Sequence, residues 1–129
     1  MYIMHRCFAK ALVLVVALLA QTPGHAAELV MFGQGGCVWC QKWDVQVGAA
    51  YDRTAESKIL PLRRSDIREQ HSGKISLASP IRYTPTFVVV DNGQEIGRIT
   101  GYSSDEAFWG LLSVLIAKLP DRAGTAGRT

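Results

Sequence analysis

Cys37 and Cys40 stand two residues apart in the stretch Gln34-Gly35-Gly36-Cys37-Val38-Trp39-Cys40. An apolar, strand-like run, Leu29-Val30-Met31-Phe32, leads into them, and a helix-like run, Trp39 to Tyr51, leads out. A Cys-x-x-Cys pair where a strand gives way to a helix is placed for thiol chemistry. Cys37 falls in the first helical turn, where unpaired backbone N–H groups and the positive end of the helix dipole favour a thiolate over a thiol. The thiolate is the nucleophile. Cys40, one turn further on, lies within reach of Cys37, so the pair is expected to cycle between dithiol and disulfide.

Length and charge narrow the setting. The chain has 129 residues, the size of a single domain. Its first segment carries Arg6 and Lys10, then an unbroken apolar run from Ala11 to Ala20, then a stretch ending in small residues. That is the plan of a cleaved secretory signal peptide. The apolar run falls short of the about 20 residues a membrane span needs. Gly24 and Ala26 give the small-x-small pattern, so residues 1–26 are read as the signal and cleavage is placed after Ala26. Cleavage removes two of the 14 basic residues and none of the 11 acidic ones, so the net charge drops from +3 to +1. A near-neutral domain gives no electrostatic case for nucleic acid or for a membrane surface. Cleavage also removes Cys7 and leaves Cys37 and Cys40 alone. A bond between residues this close closes a loop too short to stabilise a fold much. Redox use is therefore the better reading than stapling.

The elements that must hold the pair follow in order. Trp39, Trp43, Val47 and Ala50 recur at helical spacing, with Trp39 and Trp43 expected as core or groove wall. Lys58 to Asp66 reads as a second strand, with Pro61 pointing to an edge or a strand start. Ile67 to Ser76 is polar and reads as a short helix plus loop; it holds His71, the one histidine left after cleavage. Thr86 to Val90 is β-branched and apolar on both faces, a buried strand. Asn92-Gly93 is a hairpin signal, returning as a strand over Gln94 to Thr100. Ser103-Ser104-Asp105-Glu106 offers a Ser-x-x-Glu capping box. Phe108, Leu111, Leu112, Leu115, Ile116 and Leu119 then give a helix with one apolar face, stopped by Pro120. Residues 121–129 are small, polar and Gly-rich, a tail expected to be disordered. The order predicts an α/β domain over residues 28–120, a four-stranded mixed sheet flanked by helices on both faces.

With these elements in this order, the chain resembles the thioredoxin family over most of Glu28 to Leu119. Three features carry the resemblance: Cys37-Val38-Trp39-Cys40 after the first strand, Tyr83-Thr84-Pro85-Thr86-Phe87 running into a central strand, and Gly101-Tyr102 before the last helix. The resemblance implies a thioredoxin-like fold and a cis Pro85 packed against the cysteines, keeping metal ions from being chelated there. It implies that the Thr84 backbone pairs with a bound substrate chain, and that Trp39, Thr84, Pro85 and Gly101 form the substrate-binding surface. The family also carries a buried aspartate beneath the cysteines, and that place falls on Met31. Glu28, Asp66 or water is expected to take over its task. Within the family, the export signal and Cys-x-Trp-Cys resemble the periplasmic thioredoxin-like proteins encoded with bacterial sulfur-oxidation (Sox) genes.

Together these readings predict a periplasmic thiol–disulfide oxidoreductase acting mainly as a reductase. Cys37 and Cys40 are the catalytic pair, with no metal and no cofactor. The expected partners are a disulfide-bearing periplasmic protein, which the resemblance implies belongs to the sulfur-oxidation system, and a membrane electron donor. A monomer is expected. The alternatives are a periplasmic disulfide oxidant, a chaperone using the two thiolates as ligands for Cu(I) or Zn, and an inert adaptor with a permanent Cys37–Cys40 bond. Haem attachment is excluded, because residue 41 is Gln rather than His.

Overall fold

The computed structural model describes residues 27–120. The signal segment 1–26 and the tail 121–129 lie outside the described residues. Strand β1 (Ala27–Gly33) is central, buried at Leu29, Val30, Met31 and Phe32 and half-buried at its two ends. Its outer neighbour β2 (Leu62–Asp66) runs parallel to it, and β3 (Thr86–Asp91) runs antiparallel on its other side. Strand β4 (Gln94–Thr100) pairs antiparallel with β3, so the order is β2-β1-β3-β4.

Residue alternation along β1 and β3 divides the core into two layers. Leu29, Met31, Phe87 and Val89 face one side, together with Trp43, Val47, Tyr51, Phe108 and Leu112. Val30, Phe32, Val88 and Val90 face the other, with Ile81 and the half-buried Ile67, Ile75 and Leu77. The first layer is covered by the helix after the cysteines and by the last helix, α3 (Asp105–Ala117). The second is covered by a 3₁₀ turn (Ile67–His71) and the loop that follows it.

The helix leaving the cysteines is not uniform. Helix α1 (Val38–Trp43) passes into a π-helical stretch (Asp44–Gly48) and closes with a last α-helical turn (Ala49–Tyr51). The inward residues are Trp43, Val47 and Tyr51, at strict four-residue steps, while Trp39 and Ala50 are exposed. A 3.6-residue turn lets four-residue steps drift around the axis, and a wider turn offsets the drift. Trp43 is fully buried and meets Phe87 at 5.0 Å and Phe108 at 5.5 Å between ring centroids. Tyr51 is fully buried as well, and its hydroxyl donates to the Leu60 carbonyl at 2.8 Å.

Three local expectations are corrected. Lys58 and Ile59 belong to a short helix, α2 (Ala55–Ile59), because the Thr54 hydroxyl accepts the Ser57 N–H at 3.2 Å and caps a turn there. The strand therefore starts at Leu62, just after Pro61, on the edge of the sheet. At α3 the cap is Ser104, not Ser103: its Oγ accepts the Ala107 N–H at 3.2 Å. Leu111 is 51% exposed and lies outside the apolar face assigned to it.

Two glycines test the packing with opposite signs. A Cβ on Gly48 would sit 2.8 Å from the Trp43 ring, which is wedged among aromatic neighbours and has nowhere to move. A Cβ on Gly110, in α3, meets nothing within 4 Å. Gly48→Ala is expected to lose about 1–3 kcal/mol by overpacking. Gly110→Ala is expected to gain about 0.5–1 kcal/mol by removing helix-interior backbone entropy. Urea unfolding of the oxidised protein measures both, and shifts of the same sign would contradict this packing.

Candidate active site

The site gathers at one end of the sheet because of strand direction and register. Phe32 of β1 pairs with Thr86 of β3, and Thr86 pairs with Thr100 of β4. The end of β1, the start of β3 and the end of β4 are therefore side by side. From these ends leave the Cys37 turn, the Thr84-Pro85 segment and Gly101. The end of β2 joins them, since Gly33 pairs with Asp66.

The turn from β1 into α1 is tight. Gly36 takes φ +76°, a conformation that side chains disfavour, and the Cys37 N–H donates to the Gln34 carbonyl at 3.3 Å. Cys37 is the N-cap of α1, and its Sγ accepts the Cys40 N–H at 3.1 Å. The cysteines are joined as a disulfide with Cα atoms 5.2 Å apart, and each is 8% exposed. Sequence placed Cys37 within the first turn; capping it instead lets its sulfur receive a helix N–H directly.

The expected substrate-binding residues take different positions. The Thr84–Pro85 peptide bond is cis, and Pro85 is buried. The Gly101 N–H donates to the Pro85 carbonyl at 2.7 Å, so these two are brought together. Trp39 is 53% exposed, with Lys42 Nζ 5.1 Å from its ring centre. Tyr83 is also exposed at this end, and its carbonyl accepts the Thr86 hydroxyl at 2.6 Å. Tyr102 ties the turn after Gly101 to the cysteine helix through a 2.6 Å hydrogen bond to Gln46.

A network that sequence reading missed holds the loop before Pro85. The Gln70 amide brackets Ile81, donating to its carbonyl at 3.0 Å and accepting its N–H at 2.6 Å. Arg98 donates to the Ser79 carbonyl at 2.8 Å and pairs with Glu95, which accepts the Ala78 N–H at 2.6 Å. Glu95 and Arg98 are three apart, which in a regular strand puts them on opposite faces. The register skips Ile96 between the Val89 and Val90 pairings, and this bulge brings them to one side.

Beside the disulfide, toward β2, lies an open cleft of about 310 Å³ lined by both cysteines, Met31, Asp44, Arg64 and the Gly33–Gly36 turn. Met31, 3% exposed, packs in the same core layer as the cysteines. Neither acid named to replace a buried aspartate reaches this cleft. Glu28 is held by Arg63 at 2.6 Å, and Asp66 is held by Arg68 at 2.8 Å. The Arg68 guanidinium first, then its backbone N–H, draw Asp66 below the usual carboxylate range. The acid that does line the cleft is Asp44, 2.7 Å from Arg64. Its spacing from Cys40 was visible in the sequence; its arginine partner, from another element, was not.

A thioredoxin-like domain family matches residues 18–115. The chain belongs to the thioredoxin-like family. The periplasmic thioredoxin SoxS from Paracoccus pantotrophus, in its reduced form, is 36% identical with a TM-score of 0.68, over 71% of this chain and 97% of that one. A thioredoxin from Malassezia sympodialis shares the fold at 21% identity and a TM-score of 0.56, covering 73% of this chain and 80% of its own. A thioredoxin-fold protein from Helicobacter pylori does so at 18% and 0.52, covering 75% and 71%. No curated protein matches. The Cys37–Cys40 disulfide on this fold makes the chain a thiol–disulfide oxidoreductase of the thioredoxin-like class.

The loop network gives a pH prediction. Burial pushes the Glu95 carboxyl up, but the Arg98 hydrogen bond and the Ala78 N–H outweigh it and hold Glu95 below its usual 4.5. A carboxylate lowered on folding adds stability above the unfolded value and loses it as pH falls through the folded one. Glu95→Gln is therefore expected to be less stable than wild type at neutral pH, with the gap closing below about pH 4. Urea midpoints across pH 3–7 check this; a gap constant with pH would contradict the charged network.

Proposed function

We propose that the protein is a periplasmic reductase of disulfides in partner proteins. The observation that carries this reading is the Cys37 sulfur at the helix start, 3.1 Å from one backbone N–H, in a cleft whose single cation is already paired. Cys37, as thiolate, attacks one sulfur of a substrate disulfide. A Cys37–substrate bond forms, and the other substrate sulfur leaves as thiolate and takes a proton. Cys40 then attacks Cys37 Sγ, the Cys37–Cys40 bond forms, and the second substrate sulfur leaves. The substrate gains two electrons and two protons; the protein ends as the disulfide.

Direction depends on how far the protein favours its own dithiol. Strong oxidants of this chemistry owe their power to a stabilised reduced form. Here the Val38-Trp39 dipeptide supplies no charge, and Arg64 is neutralised by Asp44. The helix start and one N–H are a modest stabilisation, which supports reduction over oxidation.

Trp39, Thr84, Pro85 and Gly101 are assigned to the substrate surface, with the Thr84 backbone pairing with the substrate chain. Residues 1–26 are assigned as a cleaved signal, and SoxS, the 36% identical relative, is periplasmic. An oxidising periplasm demands re-reduction, so a membrane electron donor is part of the proposal. A sulfur-carrying protein of a sulfur-oxidation system is the partner we assign, and the protein acts as a monomer.

Cys40→Ser is expected to accumulate a mixed disulfide with a disulfide-bearing protein such as insulin, seen by mass spectrometry without reductant. Cys37→Ser is expected to form none and to lose insulin reduction altogether. Reduction that survives in Cys37→Ser would overturn the assignment of the attacking cysteine.

A further inference from the structure

We propose that Asp44 is the proton acceptor for Cys40 in the second step, with Arg64 as its positioning residue. This deepens the dithiol cycle above and rests on it. Cys40 must lose its proton before it can attack, because the thiolate is the nucleophile. The strand beneath it offers Met31, which has no proton to exchange.

Asp44 is one helical turn beyond Cys40, and its N–H donates to the Cys40 carbonyl, so the spacing between them is α-helical. Residues four apart on a helix share a face, with Cβ atoms about 5–6 Å apart. Both line the cleft beside the disulfide. Arg64 crosses from β2 and fixes one carboxylate oxygen, Oδ1, at 2.7 Å, an ionic contact off the hydrogen-bonding axis. The guanidinium is itself held 5.6 Å from the Trp43 ring centre, with Nη1 3.5 Å from Met31 Sδ. Oδ1 is buried, and a Cβ on Gly48 would come within 3.0 Å of it. The carboxylate's exposure therefore falls to Oδ2, the oxygen left to accept a proton, through one water in the open cleft.

The step balances. Asp44 Oδ2 takes the Cys40 proton; the Cys40 thiolate attacks Cys37 Sγ; the Cys37–substrate bond breaks; the departing thiolate takes the proton back from Asp44. The titratable or charged groups facing Asp44 are Cys37 and Cys40 from the turn and helix and Arg64 from β2, with none from Gly33–Gly36.

The test uses 5,5′-dithiobis(2-nitrobenzoate) on the reduced protein in stopped flow. Release of the first chromophore reports attack by Cys37, and release of the second reports resolution by Cys40. Asp44→Asn frees Arg64 beside Cys37, so its first phase is expected to be no slower than wild type, while its second slows about 10²-fold at neutral pH, the lower end for general base catalysis. Its second phase should climb steadily with pH as hydroxide takes over, where wild type levels off. Asp44→Glu should recover most of the loss, and Arg64→Met should move the second phase in the same direction by less. Asp44→Ser provides a second variant should Asp44→Asn not fold. A second phase with wild-type rate and pH profile in Asp44→Asn overturns the proposal, as does equal slowing in Asp44→Asn and Asp44→Glu. Failure of the dithiol cycle looks different: the wild-type protein would then keep one bound thionitrobenzoate on each cysteine, seen by mass, instead of ending as the adduct-free Cys37–Cys40 disulfide.

Discussion

The Cys37 sulfur accepts the Cys40 N–H where β1 ends and helix α1 begins. That contact exists because three structural demands coincide. β1 must end at the sheet edge that β3 and β4 also reach, which the register enforces. The chain must turn sharply, which Gly36 permits at φ +76°. The helix must then lie down on the sheet, which Trp43, packed against Phe87 and Phe108, achieves. Loosening any of the three would move the sulfur off the helix end. The aromatic layer is thus as much part of the site as the cysteines are.

The cleft beside the disulfide sets how the charge balance works. A cation facing Cys37 would stabilise its thiolate and make the couple more oxidising. Arg64 lines that cleft, yet it is occupied by Asp44 and stacked on Trp43. The same pair serves both proposals: it leaves Cys37 with modest stabilisation, and it supplies a carboxylate near Cys40 where β1 carries Met31. On the opposite side, Gln70, Glu95 and Arg98 hold the loop that leads to cis Pro85.

The sheet and the cysteine pair were legible in the sequence because local patterns carry them: apolar β-branched runs, Asn92-Gly93, and Cys-x-x-Cys after a strand. What was not legible depends on distant partners. Trp39 and Trp43 look alike in a periodic pattern, but a π-helical stretch and the aromatic layer bury only Trp43. Lys58 and Ile59 fit a strand by composition until the Thr54 cap claims them for α2. Ser103 and Ser104 are both capable caps, and only chain direction into α3 selects Ser104. Glu95 and Arg98 pair because of a bulge, and Asp44 matters because Arg64 arrives from β2. Contacts between elements decide each case, and a linear pattern does not encode them.

The most direct measurement is the reduction potential of the Cys37–Cys40 couple, by equilibration in glutathione and dithiothreitol buffers. A helix start, one N–H and a neutralised arginine predict a value near the reducing members of this chemistry, about −270 mV. A value near −120 mV, that of a strong oxidant, would mean a dithiol far more stabilised than this site provides and would reverse the direction of electron flow.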